Sequence, residues 1–230
     1  MKIILLGEIQ NGSAEYIKDN VREMSHELIH VPSSMRLPKL IFSYDVLIIS
    51  DYPAKKISSS TAKLIIKNTA AGARLIMIGG WDSFNGRGNG YYGHQLEKIL
   101  PVKLLKKDDR MNIAQGLLLY PNYKKYFPVK LDWKNAPIIC GYNETVPRND
   151  AEIYVYAKSI KAAKNKIFFG KPVPLVVASG YGFGRTVACM TDLTPHWCGG
   201  LVDWGKNRKR LKSVEVGDMY GKFIRLLLEI

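Results

Sequence analysis

The chain has 230 residues, enough for one generous domain or two small ones, and 47% of them are hydrophobic, enough to fill a three-layer core. No apolar run approaches the roughly 20 residues that a membrane-spanning helix needs. The first residues are too short a run for a signal peptide and lack its small-residue cleavage site. We therefore expect a cytoplasmic protein with no membrane partner.

The formal net charge is +14, from 34 Lys and Arg residues against 20 Asp and Glu. The basic residues are scattered, apart from one run at residues 206–212, and no nucleic-acid-binding motif accompanies them. This pattern favours a solvated basic surface over a nucleic-acid partner. The three cysteines, Cys140, Cys189 and Cys198, form no C-x-x-C pair, which argues against a disulfide framework or a structural zinc site. Nothing in the sequence indicates a cofactor.

The first hundred residues alternate apolar runs with helical stripes. Strands are predicted at residues 2–6, 27–31, 44–50 and 74–78, with helices after Ser13 and after Ser58–Ser60. Gly72 is placed to end the second helix. This β-α-β alternation predicts a doubly wound, flavodoxin-like α/β fold, with a mostly parallel sheet and helices on both faces.

From residue 100 onward, prolines separate short apolar pieces, which indicates strands and loops in place of helices. Strands are predicted at residues 153–157 and 174–178, and an antiparallel hairpin at 174–191 with its turn at Gly182–Gly184. A helix at about 218–228 closes the chain. No linker stands out, so we expect a single domain, residues 1–230, with a β-rich second half.

The most informative stretch follows the strand at 74–78. There the chain breaks into Gly79 and Gly80 and continues with Trp81, Asp82 and Ser83. Ligands of parallel sheets bind beyond the carboxyl ends of the strands, and glycines allow the backbone to approach them closely. The stretch therefore predicts a ligand site. The alternative is a glycine-rich connecting loop that binds nothing, which would have the same sequence pattern.

Six segments in both halves together resemble the class I glutamine amidotransferase-like superfamily, and within it the group called putative glutamine amidotransferases, related to ThuA-like proteins. The matching segments, in order, are Leu5-Leu-Gly-Glu8, Tyr44-Asp-Val-Leu-Ile-Ile-Ser-Asp51, Leu75-Ile-Met-Ile-Gly-Gly-Trp-Asp-Ser-Phe84, Gly141-Tyr-Asn143, Gly180-Tyr-Gly-Phe-Gly-Arg185 and Thr191-Asp-Leu-Thr-Pro-His-Trp197. They span nearly the whole chain.

The resemblance implies a cysteine nucleophile on the turn after the fourth strand, and a catalytic histidine followed two residues later by a glutamate. Here the turn at residues 78–83 contains no cysteine. His196 stands where the resemblance expects the base, but Cys198 stands two residues on, in place of the acid. Ordinary glutaminase chemistry is therefore not expected.

The candidate site residues fall into a catalytic group and a ligand-binding group. The catalytic candidates are His196, Asp82, Ser83 and Asp192. The ligand-binding candidates are Gly79, Gly80, Trp81, Asp51, Trp197 and Arg87. Ser83 is a candidate nucleophile, but it could instead cap the next element or bond its own loop. Cys198 is a thiol beside the predicted base, and a free structural thiol is the alternative. Asp82 and His196 are predicted to share one pocket with the two tryptophans.

Three interpretations remain open. The chain is a hydrolase of a small polar substrate that uses His196 and nearby aspartates, a non-catalytic module that binds a small sugar-like molecule or serves as an oligomeric scaffold, or a metal-assisted hydrolase. A homo-oligomer is expected, and a small molecule is the expected ligand. The sequence names no substrate.

Overall fold

The computed structural model describes residues 1–37, 43–88, 90–197 and 199–230. Its strands are β1 (Lys2–Gly7), β2 (Glu27–Val31), β3 (Val46–Ser50), β4 (Arg74–Ile78), β5 (Val102–Lys103), β6 (Arg110–Pro121), β7 (Ile139–Asn143), β8 (Val146–Pro147), β9 (Glu152–Ala163), β10 (Lys166–Phe169), β11 (Val173–Tyr181), β12 (Gly184–Cys189), β13 (Arg208–Arg210) and β14 (Glu215–Gly217). Its α-helices are α1 (Ala14–Glu23), α2 (Ser59–Ala70), α3 (Gly199–Val202) and α4 (Asp218–Glu229).

Ten strands form one mixed sheet in the order β2-β1-β3-β4-β12-β11-β9-β6-β7, with β10 paired to β9. The pairs β1–β2, β1–β3, β3–β4 and β4–β12 are parallel. The pairs that extend the sheet beyond β12 are antiparallel. Two short antiparallel pairs, β5–β8 and β13–β14, stand apart from this sheet.

The predicted doubly wound, flavodoxin-like fold is wrong. Such a fold needs a helix after nearly every strand, whereas the described residues between β4 and β12 contain no α-helix. That part of the chain instead forms long antiparallel strands, two of them 12 residues long. A two-residue turn joins β11 to β12, which is too short for the crossover that parallel neighbours need. The sheet is therefore strand-rich and mixed.

The turn between β11 and β12 lies at the predicted position and requires the glycine found there. Gly182 has a φ of +60°, a conformation that suits glycine, and a Cβ there would lie 2.5 Å from the carbonyl oxygen of Ala70. The hairpin thus fits closely against the end of α2, which also contacts β12. Elsewhere in the fold, α1 packs against α4.

The central parallel strands β1, β3 and β4 are almost wholly buried, which matches their continuous apolar runs. None of the described helices is long and apolar enough to cross a membrane.

Candidate active site

Three parallel strands and the second arm of the hairpin end at the same edge of the sheet. The residues after them are Glu8, Asp51, Gly79 and, three residues past β12, Asp192. Glu8 and Asp51 both adopt the left-handed conformation, with φ of 60° and 50°. This conformation turns the chain sharply at each strand end, and the two carboxylates are buried or half-buried at the edge.

The Asp192–His196 segment forms a compact hydrogen-bonded turn. Asp192 Oδ2 lies 2.8 Å from His196 Nδ1, and the Thr194 hydroxyl lies 2.8 Å from that same nitrogen. The Thr194 backbone N–H and hydroxyl both donate to Asp192 Oδ1. Asp192 is 1% exposed, whereas the His196 side chain is 45% exposed. A buried carboxylate therefore orients the half-exposed imidazole through its Nδ1.

Asp51 completes a three-residue cluster. One carboxylate oxygen from Asp51, one from Asp192 and one ring nitrogen of His196 all lie within 4.8 Å of one another. The backbone N–H of Asp82 donates to Asp51 Oδ1 over 2.8 Å, and a Cβ at Gly80 would lie only 2.1 Å from that oxygen. The glycine turn predicted to approach a ligand therefore approaches, first of all, the Asp51 carboxylate.

The charges of the cluster are strongly coupled to their surroundings. Burial, helped by the charges of Asp192 and Asp51, raises the pKa of Glu8 from 4.5 to about 7. Burial, with Asp192 and Asp82 adding to it, raises the pKa of Asp51 from 3.8 to about 6. The hydrogen bond to Asp192 raises the pKa of His196 from 6.5 to about 9. At neutral pH the imidazole is charged, Asp51 is mostly ionised and Glu8 titrates.

Sequence reasoning missed the support beneath the glycine turn. Asn143, fully buried, accepts from the Gly80 N–H over 2.9 Å and donates to the Gly80 carbonyl over 3.1 Å. Its amide also donates to Asp109 Oδ1 over 2.7 Å, and Asp109 Oδ2 accepts from the Asn85 N–H. Gly141-Tyr-Asn143 contributed to the family resemblance without a role being assigned, and no sequence signal marked Asp109.

Several predicted site residues lie beside the cluster but face elsewhere. The Asp82 carboxylate lies 3.8 Å from the Arg87 guanidinium, so Asp82 reaches the cluster through its backbone. Ser83 is fully buried, and its hydroxyl accepts from the Asp51 N–H over 3.0 Å. Trp81 is half exposed at the rim. The Arg87 and Arg110 guanidiniums lie 5.6 and 5.1 Å from its ring centroid.

Trp197 is buried, 8% exposed, and its indole packs against Gly141, where a Cβ would lie 2.7 Å from the ring. The structure thus brings together Asp51, Asp192 and His196, with the backbone of Gly80 and Asp82. It does not bring the Asp82 carboxylate onto the imidazole, and the pocket predicted to join Asp82, His196 and both tryptophans stays a prediction.

Two of the three cysteines, Cys140 and Cys189, lie in the described part of the chain. Burial raises the pKa of the Cys189 thiol to about 12, and Cys140 lies exposed on β7. Cys198, the thiol weighed as a partner of His196, lies outside the described residues.

Fold and site together define a strand-rich, mixed-sheet protein with an acid–imidazole cluster at the carboxyl ends of its parallel strands. The family model described as "Putative glutamine amidotransferase" matches residues 10–214, so the chain belongs to that family. The relation to ThuA-like proteins stays a prediction. No curated protein sequence matches the chain.

Solved structures with the same fold include two bacterial proteins. The cytoplasmic protein STM3548 from Salmonella typhimurium is 23% identical, with a TM-score of 0.71 over 86% of this chain and 90% of its own. The cytoplasmic protein STM1381 from Salmonella typhimurium LT2 is also 23% identical, with a TM-score of 0.67 and the same coverage. A catalytic mutant of Gan42B, a GH42 beta-galactosidase from G. stearothermophilus, is 12% identical, with a TM-score of 0.52 over 99% of this chain and 29% of its own. These likenesses describe the fold.

Proposed function

We propose that the protein is a hydrolase that acts on a small polar substrate by acid–base chemistry, with water in place of a cysteine nucleophile. The observation that carries the proposal is the pair formed by Asp51 and His196, in which one carboxylate oxygen and one ring nitrogen lie within 4.8 Å of each other. Their surroundings raise both pKa values, that of Asp51 to about 6 and that of His196 to about 9. Two neighbouring groups whose pKa values differ in this way suit the roles of base and acid at neutral pH.

In this mechanism the Asp51 carboxylate takes a proton from water, and the hydroxide attacks an electrophilic carbon of the substrate. The bond to the leaving group breaks, and His196 donates its Nε2 proton to that group. Asp192 and Thr194 hold Nδ1 and so fix which nitrogen reaches the substrate. Glu8, near its midpoint at neutral pH, adjusts the charge of the cluster.

The remaining predicted residues take supporting roles. Ser83, whose hydroxyl accepts from the Asp51 N–H, positions the base in this proposal and is not itself the nucleophile. Gly79 and Gly80 bring the turn against Asp51, and Trp81 with Arg87 offers a flat, partly charged wall at the rim for a polar ligand. Trp197, next to His196 in the chain, packs against Gly141 of β7 and so supports the site.

A divalent cation is the second candidate for this site, because one carboxylate oxygen each from Asp51 and Asp192 and one imidazole nitrogen lie within 4.8 Å. Oxygen and imidazole donors suit Mn²⁺ or Zn²⁺. Ligation requires a neutral imidazole, so a bound cation would have to displace the His196 proton.

The test is hydrolysis of a panel of small amides, esters and glycosides with chromogenic leaving groups, by wild type and by Asp51→Asn and His196→Gln. The exposed Asp150→Asn and the remote His26→Gln are matched controls. We expect both site variants to lose at least about 100-fold in rate, as is usual for a general acid or base. Activity retained in both variants would overturn the proposal, and activity abolished by chelator and restored by a metal would favour the cation.

A further inference from the structure

Residues 160–171 extend from the sheet as an arm that carries several lysines and one apolar face. None of them belongs to the candidate site. Beyond Ser159, β9 is no longer paired with β6, and it continues as a two-stranded ribbon with β10. Lys164 and Asn165 form the turn, and both have positive φ (47° and 61°), as tight hairpins require. We call residues 160–171 the basic arm.

The strand register separates the ribbon into two unlike faces. Ile160 pairs with Phe169 and Ala162 with Ile167, so these four apolar residues share one face. On the other face Lys161 pairs with Phe168 and Ala163 with Lys166. Ile167 and Phe169 are 66% and 54% exposed. An isolated two-stranded ribbon is only marginally stable in water, so we expect a partner to cover this apolar face.

The charge of the arm defines the chemistry of that partner. Residues 160–171 contain four lysines, Lys161, Lys164, Lys166 and Lys171, and no acidic residue. Within the described part of the chain, none of these lysines forms an ion pair. The whole chain, including this arm, carries a net charge of +14. A complementary partner is therefore anionic.

A second copy of the chain fits this arm poorly. Ile167 and Phe169 could bury on the order of 100 Å² each, whereas a stable interface buries at least about 1,200 Å² in total. Two arms would also bring eight lysines together, from two copies that each carry a charge of +14. Size and charge both oppose self-association through this surface.

We propose that the basic arm docks on an anionic lipid surface. Its apolar face would lie at the boundary between headgroups and acyl chains, while the lysines reach the anionic headgroups, in the manner of amphipathic interfacial segments. Each lysine near such a surface strengthens adsorption about fivefold. The phosphates of a nucleic acid would pair with the lysines, but they would not bury the apolar side chains of Ile160 and Ile167. We expected no membrane partner because no apolar run is long enough to span a bilayer, but adsorption at a lipid surface needs no spanning segment.

The arm also has a defined direction. β9 is antiparallel to β11, which is antiparallel to β12, and β12 is parallel to β4. The carboxyl end of β9 therefore points the same way as that of β4, toward the edge that holds Asp51 and His196. An adsorbed protein would carry its candidate site on the side nearest the lipid.

The experiment is flotation of the full-length protein with vesicles of phosphatidylcholine alone or mixed with phosphatidylglycerol, at low and high salt. We expect binding only to the mixed vesicles, weakened by salt. Replacing Lys161, Lys164, Lys166 and Lys171 by Gln should lower the partition coefficient at least about 100-fold. A charge-matched control replaces Lys63, Lys67, Lys130 and Lys134, which are exposed elsewhere, and should retain most of the binding.

Two single variants test the apolar face. Phe169→Ser should weaken binding about tenfold, whereas Phe168→Ser, on the opposite face, should leave it within about twofold. Absence of vesicle binding by wild type would overturn the proposal. So would an equal loss in the charge-matched control, equal effects of the two serine variants, or tighter binding to single-stranded RNA than to the mixed vesicles.

Discussion

His196 Nδ1 lies 2.8 Å from the buried Asp192 carboxylate, four residues earlier in the chain. This contact orients the imidazole, because both the Asp192 carboxylate and the Thr194 hydroxyl lie within 2.8 Å of Nδ1. It also raises the pKa of His196 to about 9, so the ring carries a proton at neutral pH. The proposed function depends on this charged, oriented imidazole beside the Asp51 carboxylate.

The first prediction concerns the pH dependence of stability. A histidine whose pKa rises from 6.5 to about 9 on folding stabilises the folded state fully below pH 6.5, and that contribution is lost as pH rises through 9. We expect His196→Ala to lower the free energy of unfolding most below pH 6.5. The side chain is nearly half exposed, so solvent screening reduces the size of the effect. Urea unfolding of both proteins across this pH range measures it, and a difference that stays constant with pH would contradict the assigned contact.

The second prediction concerns the buried carboxylate of Glu8. Its folded pKa, raised from 4.5 to about 7, means that its stabilising contribution is fully present below pH 4.5 and lost as pH rises through 7. At about 1.4 kcal/mol per pKa unit, the cost above pH 7 is on the order of 3 kcal/mol. Glu8→Gln keeps an acceptor for the Ser50 hydroxyl and removes the charge. We expect it to be more stable than wild type at pH 8 and about equal at pH 4.5, by urea unfolding; lower stability at pH 8 would show that the ionised form is favoured.

The third prediction concerns the glycine turn. A Cβ at Gly80 would lie 2.1 Å from Asp51 Oδ1, so Gly80→Ala must displace that carboxylate. We expect a loss of stability of about 1–3 kcal/mol, as for other overpacked sites, and loss of any activity that depends on Asp51. Gly180→Ala is the matched control, because nothing lies within 4 Å of its added methyl group. Equal stability and activity of the two variants would show that the site does not depend on the close approach of Gly80 to Asp51.

The sequence indicated the edge of the sheet where the site lies, because continuous apolar runs identify buried parallel strands and their last residues are easily located. Glu8, Asp51 and Gly79 could be placed in this way. Asp192 and His196 lie four residues apart in the chain, so their contact is local and within reach of sequence reasoning.

The second half of the fold could not be placed so well. Short apolar pieces between prolines indicate strands, but they do not show that β6, β7, β9 and β11 extend the same sheet as β1 to β4. The contact between Asn143 and Gly80 joins residues 63 positions apart through that sheet, and no local pattern encodes it. Asp109 was missed for the same reason, since only the folded chain brings it to Asn143. The basic arm became visible only once the register of β9 and β10 was known.

The most direct test of the proposed acid–base pair is an NMR titration of the His196 ring nitrogens and the Asp51 carboxyl carbon in the wild-type protein. We predict that His196 titrates near pH 9 with Nδ1 protonated throughout, and that Asp51 titrates near pH 6. In Asp192→Asn the His196 titration should move down toward 6.5. A wild-type His196 that titrates at or below 6.5, beside an Asp51 that titrates near 3.8, would contradict the proposed acid–base pair.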